Sequence, residues 1–247
     1  MKRKIHVVLP AFNEEQNIGR LLDSIDESMG EAGLTYQVIL VDDGSSDKTG
    51  DIARDRSSRF PVLIKKHGTN LGLGATIRDG LYAAAELAAD RDIIITMDAD
   101  DTHTPGLILR MVRMISEGHD VVIASRYQPG SVTVGVPVLR RLLSYAASTM
   151  FRTLLPIPGV KDFTCGYRAY RAKVIKDAIA RYGDRFMDQD GFQCMVDILL
   201  KLRKMNLIFG EVPFVLRYDL KEGTSKMKML RTSRKTLQLI LKRRLGG

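Results

Sequence analysis

The 247-residue sequence predicts an α/β fold with a doubly wound, mostly parallel sheet. Apolar strand segments and helical segments alternate through the first half of the chain, which is typical of helices packed on both sides of one sheet. The crossovers between strands are long enough for parallel pairing. The strands are also apolar almost without interruption, and this pattern indicates a sheet that is buried on both faces.

Five strands are predicted in this first half, at 5–10, 36–43, 62–67, 92–98 and 120–125. The segments between them predict helices at about 13–29, 46–58, 74–90 and 104–117. Asn13 is the expected cap of the first helix. Glu14 and Glu15 would then lie in its first turn, where the helix dipole favours acidic side chains.

After Tyr127 the regular alternation ends. A loop at 128–137 precedes a predicted helix at 138–154, and 164–171 is expected to be a strand. Further helices are predicted at about 172–182 and 190–205, followed by a strand pair or one long strand within 207–218. The last predicted element is a basic amphipathic helix at 226–244.

Charge and composition exclude several classes of protein. The net charge is +9, but residues 217–247 alone carry ten basic and two acidic side chains, so a general nucleic-acid-binding surface is not expected. No apolar run approaches the length of a transmembrane helix, and the N-terminus does not resemble a signal peptide. Two cysteines without metal-type spacing favour a cytoplasmic setting.

Three carboxylates follow the fourth predicted strand within four positions, at Asp98, Asp100 and Asp101. Like charges this close repel one another, so a cation is expected beside them. Asp98 and Asp100 occupy alternate residues and point the same way in an extended segment. Two hard oxygen ligands in this arrangement suit Mg²⁺ or Mn²⁺, which would also hold a phosphate.

Polar residues also follow the other predicted strands, where ligands bind in open parallel sheets. They are Pro10 to Glu14, Asp42 to Asp47, His67 to Asn70 and the pair Ser125 and Arg126. His67 has no partner visible in the sequence. Three basic sites are candidates for a phosphate clamp, namely Arg126, the pair Arg140 and Arg141, and Arg217 with Lys221 and Lys226. Neither a Walker motif nor a G-x-S-x-G motif is present.

Seven segments between residues 9 and 227 occur in the order of a known family: LPAFNEEQNI, VDDGSSDKT, NLGLGATIRDG, MDADDTHTP, SRYQPG, DFTCGYRAY and GTSKM. By these segments the sequence resembles the family 2 glycosyltransferases, which have the nucleotide-sugar-binding A-type fold. Within that family it is similar to the branch of dolichol-phosphate mannosyltransferases and polyprenyl-phosphate glycosyltransferases.

The resemblance implies roles for individual residues. The nucleoside would be bound by Pro10, Ala11, Asn13 and Glu14, with Asp42 or Asp43. The metal and diphosphate would be held by Asp98, Ala99 and Asp100, with Thr102 and His103 as candidate further ligands. The diphosphate or the acceptor phosphate would meet Arg126, Arg140 and Ser144, with Asp162, Arg168 and Arg217 on the acceptor side.

The implied reaction is metal-dependent transfer of mannose or glucose, with inversion, from GDP-mannose or UDP-glucose to a polyprenyl or dolichyl phosphate. A phosphate acceptor is already ionised at pH 7, so no strong general base is required. One alternative is a transferase with a saccharide or small-molecule acceptor, for which Asp188 or Asp190 would serve as the base. Another is a nucleotide-sugar-binding protein without turnover, against which the Asp98 and Asp100 pair argues.

The same resemblance predicts one transferase domain at 1–225, with a nucleotide-sugar half at 1–126 and an acceptor half at 127–225. The basic helix within 226–247 would contact an anionic membrane surface. We therefore expect a cytoplasmic protein that binds peripherally to the inner face of the membrane.

Overall fold

The structure, a computed structural model, describes residues 3–220 apart from the side chains of Leu139 and Arg140. Its strands are β1 (Lys4–Ala11), β2 (Thr35–Asp42), β3 (Val62–Lys66), β4 (Ile93–Thr96), β5 (Val121–Ser125), β6 (Val132–Val134), β7 (Arg168–Arg171), β8 (Phe209–Pro213) and β9 (Val215–Arg217). Its α-helices are α1 (Ile18–Glu31), α2 (Thr49–Ser57), α3 (Leu73–Leu87), α4 (Leu107–Ser116), α5 (Val138–Leu154), α6 (Ala172–Tyr182) and α7 (Cys194–Leu202). The predicted basic helix, Lys221, Lys226 and the GTSKM segment lie outside the described residues.

Seven strands form the main sheet in the order β3-β2-β1-β4-β7-β5-β8. The pairs β1–β2, β1–β4, β2–β3 and β5–β8 are parallel, whereas β7 lies antiparallel between β4 and β5. The predicted mostly parallel α/β sheet is therefore confirmed. Strands β6 and β9 pair in parallel as a second, two-stranded sheet.

Helices bury apolar stripes against the main sheet. On α1 the buried residues recur at helical spacing, as Ile18, Leu21, Leu22, Ile25 and Met29. Helix α3 is rich in alanine and approaches β1 closely at Gly80, where a Cβ atom would lie 2.3 Å from a methyl group of Val8. Small residues on α3 thus let it pack tightly over the strands that lead to the site.

The structure corrects several predicted boundaries. The first helix begins at Ile18 and not at Asn13, because Asn13 has a φ of 50° and lies in the preceding turn. The helix predicted at 190–205 is shorter, since α7 ends at Leu202 and a 3₁₀ turn follows at Arg203–Met205. The predicted strand at 164–171 pairs only over Arg168–Arg171.

The region expected to be loop at 128–137 contains the short strand β6. Its partner β9 and the main-sheet strand β8 are separated only by Phe214. The segment 207–218 therefore contains two strands, one in each sheet.

The carboxyl ends of β1, β2, β4 and β5 meet at one edge of the main sheet. No helix within residues 3–220 is long and apolar enough to span a bilayer. The predicted division into two halves remains a prediction.

Candidate active site

A cavity of about 1600 Å³ opens at the carboxyl-terminal edge of the main sheet. The loops after β1, β2, β4 and β5 contribute to its lining, together with residues of α3 and α5. Many of the residues predicted from the sequence meet here. Those that line the cavity are Pro10, Ala11, Glu14, Asp43, Asp98, Ala99, Asp100, Thr102, His103, Arg126 and Ser144.

Asn13 and Asp42 brace the loops around the cavity and are not part of its lining. The side-chain oxygen of Asn13 accepts a hydrogen bond from the N–H of Ser46 at 2.9 Å, which joins the β1 loop to the β2 loop. The carboxylate of Asp42 is fully buried and accepts a hydrogen bond from the N–H of Ser45 at 2.9 Å. Of the two carboxylates considered for the nucleoside, Asp43 is therefore the one that reaches the cavity.

Asp43 organises the neighbouring wall of the cavity. Its two carboxylate oxygens accept hydrogen bonds from the N–H groups of Leu71 at 2.8 Å and Gly72 at 2.9 Å. The same carboxylate lies 2.7 Å from Nδ1 of His67. The contacts with Leu71 and Gly72 fix the backbone of the glycine-rich segment, because each orders one main-chain amide.

Asp98 and Asp100 follow β4 on alternate residues, as predicted. Thr102 donates its hydroxyl hydrogen to Asp100 at 2.7 Å. Gly166 lies opposite Asp98, and a Cβ atom there would come within 3.1 Å of the Asp98 Oδ1 atom. The absence of a side chain at Gly166 thus leaves room for the Asp98 carboxylate at the cavity.

The donor set at this position fits Mg²⁺ or Mn²⁺. Mg²⁺ is commonly bound through one or two protein carboxylates, while substrate phosphates and waters complete its coordination. The Asp98 side chain is 41% exposed and so is accessible to an ion. Within residues 3–220, no three or more His, Cys, Asp or Glu side chains are grouped to hold a metal by themselves. Substrate phosphates and waters would complete the coordination of a metal held by Asp98 and Asp100.

His103 packs beneath this acidic pair. Its buried ring stacks on Tyr167 at a centroid distance of 5.0 Å and meets Phe214 edge-on at 5.7 Å. Nδ1 accepts a hydrogen bond from the N–H of Asp98 at 3.1 Å, so the neutral ring carries its proton on Nε2. A protonated nitrogen has no lone pair for a metal. The arrangement favours an orienting contact with Asp98 over the predicted metal ligation.

Asp101, the third aspartate of the cluster, does not line the cavity and contacts helix α1 instead. Asp101 has a φ of 61°, in the left-handed region that non-glycine residues seldom adopt. Its carboxylate lies 2.8 Å from the guanidinium Nε of Arg20 on α1. This ion pair ties the acidic loop to the first helix, and it also supplies one of the positive charges expected beside the three carboxylates.

Arg126 enters the cavity from the end of β5 and is held by Asp162. The guanidinium donates to both carboxylate oxygens at 2.8 Å, and the Asp162 side chain is fully buried. Burial opposes the charged forms of both groups, but their mutual attraction outweighs it. It lowers the pKa of Asp162 and raises the pKa of Arg126, so both remain ionised at neutral pH. Asp162 thus positions Arg126 and does not itself line the cavity.

Glu211 on β8 fixes the corner behind this ion pair. One of its carboxylate oxygens accepts the N–H groups of Lys161 at 2.6 Å and Asp162 at 2.7 Å. The other accepts a hydrogen bond from the Gln128 side chain at 3.0 Å. Glu211 therefore anchors the main chain at Lys161 and Asp162, and Asp162 in turn holds Arg126.

Ser144 lies on α5 and forms a 2.8 Å hydrogen bond with the hydroxyl of Tyr127. The guanidinium of Arg126 lies 5.6 Å from the centre of the Tyr127 ring, a cation–π contact. Burial raises the pKa of Tyr127, and the nearby charge of Arg126 only partly opposes this. Tyr127 is thus a neutral hydrogen-bonding partner that links Arg126 to Ser144.

Two predicted arginines, Arg217 and Arg168, lie apart from this group. Arg217 pairs with Asp219 at 2.8 Å and does not line the cavity, although its N–H donates to the carbonyl of Thr102 at 3.2 Å. Arg168 is fully buried and donates to the carbonyl oxygens of Met195 and Phe163, which places it in the core and not on the acceptor side. Arg140 lies in α5, and its side chain is outside the described part of the structure.

Several cavity residues were not singled out from the sequence. The cations among them are Arg152 and Lys161. Arg141, which the sequence predicts with Arg140 as a basic site of the phosphate clamp, also lines the cavity. Lys161 directly precedes the DFTCGYRAY segment, and this position is the one sequence feature that places it near the predicted site. A lysine next to a loop has no distinctive pattern, and only the fold brings it to the cavity.

The part of the cavity lined by Arg126 and Ser144 continues into an exposed apolar surface. On α5 the side chains of Val138, Leu142, Leu143 and Tyr145 are exposed, to 70, 63, 50 and 61%. Val132, Val134 and Val215 of the two-stranded sheet are exposed as well. We call this set the α5 surface. An exposed apolar group of this size, next to a cavity, is typical of an interaction site.

Comparison with protein families gives a consistent result. The family described as "Glycosyl transferase family 2" matches residues 6–178. The dolichol-phosphate mannosyltransferase of Pyrococcus furiosus is 31% identical over 226 residues, which cover 91% of this chain and 59% of that protein. The polyprenol monophosphomannose synthase of Mycolicibacterium smegmatis is 31% identical over 90% of this chain and 80% of its own length.

Solved structures with the same fold include glucosyl-3-phosphoglycerate synthase from Mycobacterium tuberculosis in complex with Mn²⁺, UDP and phosphoglyceric acid. It superposes with a TM-score of 0.71, at 21% identity, over 98% of this chain and 78% of that chain. A complex of the same enzyme with Mg²⁺ and UDP superposes with a TM-score of 0.69 at 20% identity, over 98% of this chain and 79% of that one. At this level of identity the likeness establishes the fold.

Proposed function

The chain belongs to glycosyl transferase family 2, and on this premise we propose that it transfers a hexose from a nucleoside diphosphate sugar to a polyprenyl or dolichyl phosphate. Mannose is the first sugar to consider, because the similar proteins from P. furiosus and M. smegmatis are named for mannose transfer. GDP-mannose is therefore the first donor to test and UDP-glucose the second.

The observation that carries this proposal is the distribution of charge in a single cavity. The carboxylates of Asp98 and Asp100 and the cations Arg126 and Lys161 all line it. A metal-bound diphosphate at the acidic end and an anionic acceptor at the basic end would complement this arrangement. The apolar α5 surface continues from the basic end, where a lipid attached to the acceptor phosphate would emerge.

For the donor, we infer that Asp98 and Asp100 hold Mg²⁺ or Mn²⁺. Such an ion would supply positive charge to the leaving diphosphate. Thr102 orients the carboxylate of Asp100, and His103 holds the main chain at Asp98, through the hydrogen bonds described above. Pro10, Ala11, Glu14 and Asp43 then provide the wall for the nucleoside.

For the acceptor, we infer that Arg126 binds the phosphate, with Ser144 and Lys161 beside it. Since that phosphate is ionised at neutral pH, these residues need only orient it and stabilise its charge. Asp162 and Tyr127 hold Arg126 in place. Arg140 and Arg217 keep their predicted phosphate contacts as proposals. The Arg217 guanidinium would have to exchange its pairing with Asp219 for the substrate.

A saccharide acceptor would require a general base near the basic end of the cavity. Asp188 and Asp190 were the candidates, and neither lines the cavity. Asp188 is 2.9 Å from Lys201; burial raises its pKa, but hydrogen bonds led by that from Lys201 outweigh this and hold the pKa well below its usual value. A carboxylate with such a low pKa is a poor base. These contacts favour the phosphate acceptor over the saccharide.

Contact with a membrane follows from the proposed acceptor. The α5 surface is a candidate contact among the described residues, and the basic helix predicted at 226–244 is a second one beyond them. A peripheral position at the cytoplasmic face of a membrane is thus part of this proposal.

A transfer assay tests the proposed reaction. The purified protein is incubated with labelled GDP-mannose or UDP-glucose, Mn²⁺ and a polyprenyl phosphate in detergent micelles. We expect label in the lipid fraction, loss of transfer on addition of EDTA, and no transfer to a polyprenol that lacks the phosphate. Equal transfer to the phosphate-free lipid or to a soluble saccharide would contradict the proposed acceptor. Nucleotide binding without transfer to any of these would support the non-catalytic alternative.

A further inference from the structure

His67 lies between two carboxylates at the edge of the nucleotide wall. Its Nδ1 is 2.7 Å from Oδ1 of Asp43 and its Nε2 is 3.0 Å from Oδ2 of Asp79 on α3. The side chain is only 9% exposed. Its main-chain N–H donates to the carbonyl of Asp42 at 2.8 Å, which extends the pairing of β2 and β3 beyond the strand ends.

Both ring nitrogens of His67 lie within hydrogen-bonding distance of a carboxylate oxygen. An ionised carboxylate accepts hydrogen bonds and donates none, so a nitrogen that bonds to it must donate. Burial raises the pKa of Asp79, but its contacts with Arg78 and His67 outweigh this and lower it, so Asp79 is ionised at neutral pH. Asp43 accepts two main-chain N–H groups in addition to its contact with His67. The ring therefore bridges the two acids.

This bridge supports the segment that faces the nucleoside. Asp43 holds the N–H groups of Leu71 and Gly72, and Asn70, Gly72 and Leu73 line the cavity. The residue just before this segment, Thr69, also packs closely against the β2 loop. A Cβ atom on Gly44 would lie 2.6 Å from the carbonyl carbon of Thr69. The close approach of Gly44 and the hydrogen bonds to Asp43 thus both hold this segment in place.

The place of the bridge in the sheet indicates which part of the donor it serves. Asp98 and Asp100 follow β4, whereas His67 and Asp43 follow β3 and β2, with β1 between them and β4. Neighbouring strands are about 4.8 Å apart, so β2 lies roughly 10 Å from β4. That separation places the wall beside the nucleoside when the diphosphate is at the metal-binding carboxylates.

We propose that His67 is a positioning residue for the nucleoside of the donor, acting by bridging Asp43 and Asp79 so that the 70–72 backbone keeps its binding geometry. This inference rests on the proposed function, since it takes a nucleoside diphosphate as the ligand. His67 itself does not line the cavity and is not assigned contact with the donor.

The test compares His67→Gln with the wild type and with His119→Gln as a matched control. Glutamine donates from a single amide nitrogen and does not bridge both acids. His119 lies between α4 and β5, where its ring contacts the carbonyl of Met114 at 3.1 Å. For His67→Gln we expect the Kd of GDP or UDP and the KM of the donor to rise on the order of tenfold, with kcat changed by less than about twofold.

Asp79→Asn provides a second route to the same bridge from a partly exposed side chain. We expect it to weaken nucleotide binding less than His67→Gln does, and the double variant to bind no more weakly than His67→Gln alone. If His67→Gln does not fold, the Asp79→Asn result decides the matter. Nucleotide binding equal to wild type in either folded variant, or a loss of kcat without a change in KM, would overturn the proposal. A wild-type protein that binds neither GDP nor UDP would instead refute the proposed function and this inference with it.

Discussion

The two sides of the cavity are built on opposite principles. Beside the glycine-rich segment and next to Arg126, buried carboxylates hold main-chain amides: Asp43 binds those of Leu71 and Gly72, while Asp162 binds those of Arg126 and Cys165. We call these carboxylates the buried frame. The α5 surface, in contrast, exposes Leu142 and Leu143, whose apolar side chains fix no hydrogen-bonding group.

The difference follows from what each side would bind. A nucleoside diphosphate has polar groups at fixed separations, and a preorganised backbone recognises them without further ordering. A lipid chain has no such pattern, so an adaptable apolar surface is sufficient for it. Changes to the carboxylates of the cavity should therefore strongly alter the rate of transfer or the free energy of unfolding. Changes on the α5 surface should alter only the KM for a lipid acceptor.

The largest effect is expected at the acidic end. Asp100→Ala removes one of the two carboxylates assigned to the metal, and we expect transfer to fall by roughly a thousandfold or more. The thermal shift produced by donor with Mn²⁺ should disappear as well, because a ligand stabilises only the form that binds it.

Asp51→Ala is the matched control, since that carboxylate is exposed on α2 and pairs only with Arg54 at 2.7 Å among the contacts of the described residues. It should leave transfer and the thermal shift unchanged. Full activity in Asp100→Ala would show that the metal, if required, is held elsewhere.

The next effect is on stability. Asp162→Asn removes a fully buried carboxylate from its pair with the partly buried Arg126, and breaking a buried ion pair by removing one partner typically costs about 3–5 kcal/mol of unfolding free energy. Asp219→Asn disrupts the pair with Arg217, in which both side chains are well exposed, and should leave the denaturant midpoint unchanged. Equal midpoints for Asp162→Asn and the wild type would contradict the picture of a buried frame.

The pH dependence of this difference can be derived from the pKa of Asp162, which folding lowers below its ordinary value of 3.8. The native state therefore binds this proton less readily than the unfolded state does, so the ion pair contributes fully above about pH 4 and loses its contribution as the pH falls further. The stability gap between wild type and Asp162→Asn should thus narrow on acidification. A gap that widened below pH 4 would refute this reasoning.

The buried frame was only partly predictable from the sequence. Strand and helix periodicity located β1 to β5, and the acidic and polar residues at their ends identified the cavity edge. The partners of those residues were not visible. His67 binds Asp43 and Asp79, which lie 24 and 12 residues away, and only the packing of α3 against the sheet brings the three together.

Two further features depend on contacts that no local pattern reveals. The insertion of β7 between β4 and β5 pairs Ile93 with Arg171, and this long-range antiparallel register has no signal in either segment alone. Similarly, Asp42 and Asp43 are adjacent and chemically identical. Both side chains are buried, but the alternation of side chains at the end of β2 turns only Asp43 to the cavity.

The smallest effect is expected on the α5 surface, and it distinguishes lipid contact from phosphate contact. The double substitution Leu142→Ser and Leu143→Ser replaces two exposed leucines, so the unfolding free energy should change by less than about 1 kcal/mol. The KM for a long-chain polyprenyl phosphate in vesicles should rise by about three- to tenfold, because each leucine loses apolar contact with lipid. The KM for a short, water-soluble prenyl phosphate should not change, since Arg126 and Lys161 still bind its phosphate.

Leu109→Ser is the control, as Leu109 is an exposed leucine on α4 that is not part of the cavity lining. An equal rise in KM for both acceptors would place Leu142 and Leu143 in phosphate binding, and no rise for either would remove α5 from acceptor recognition.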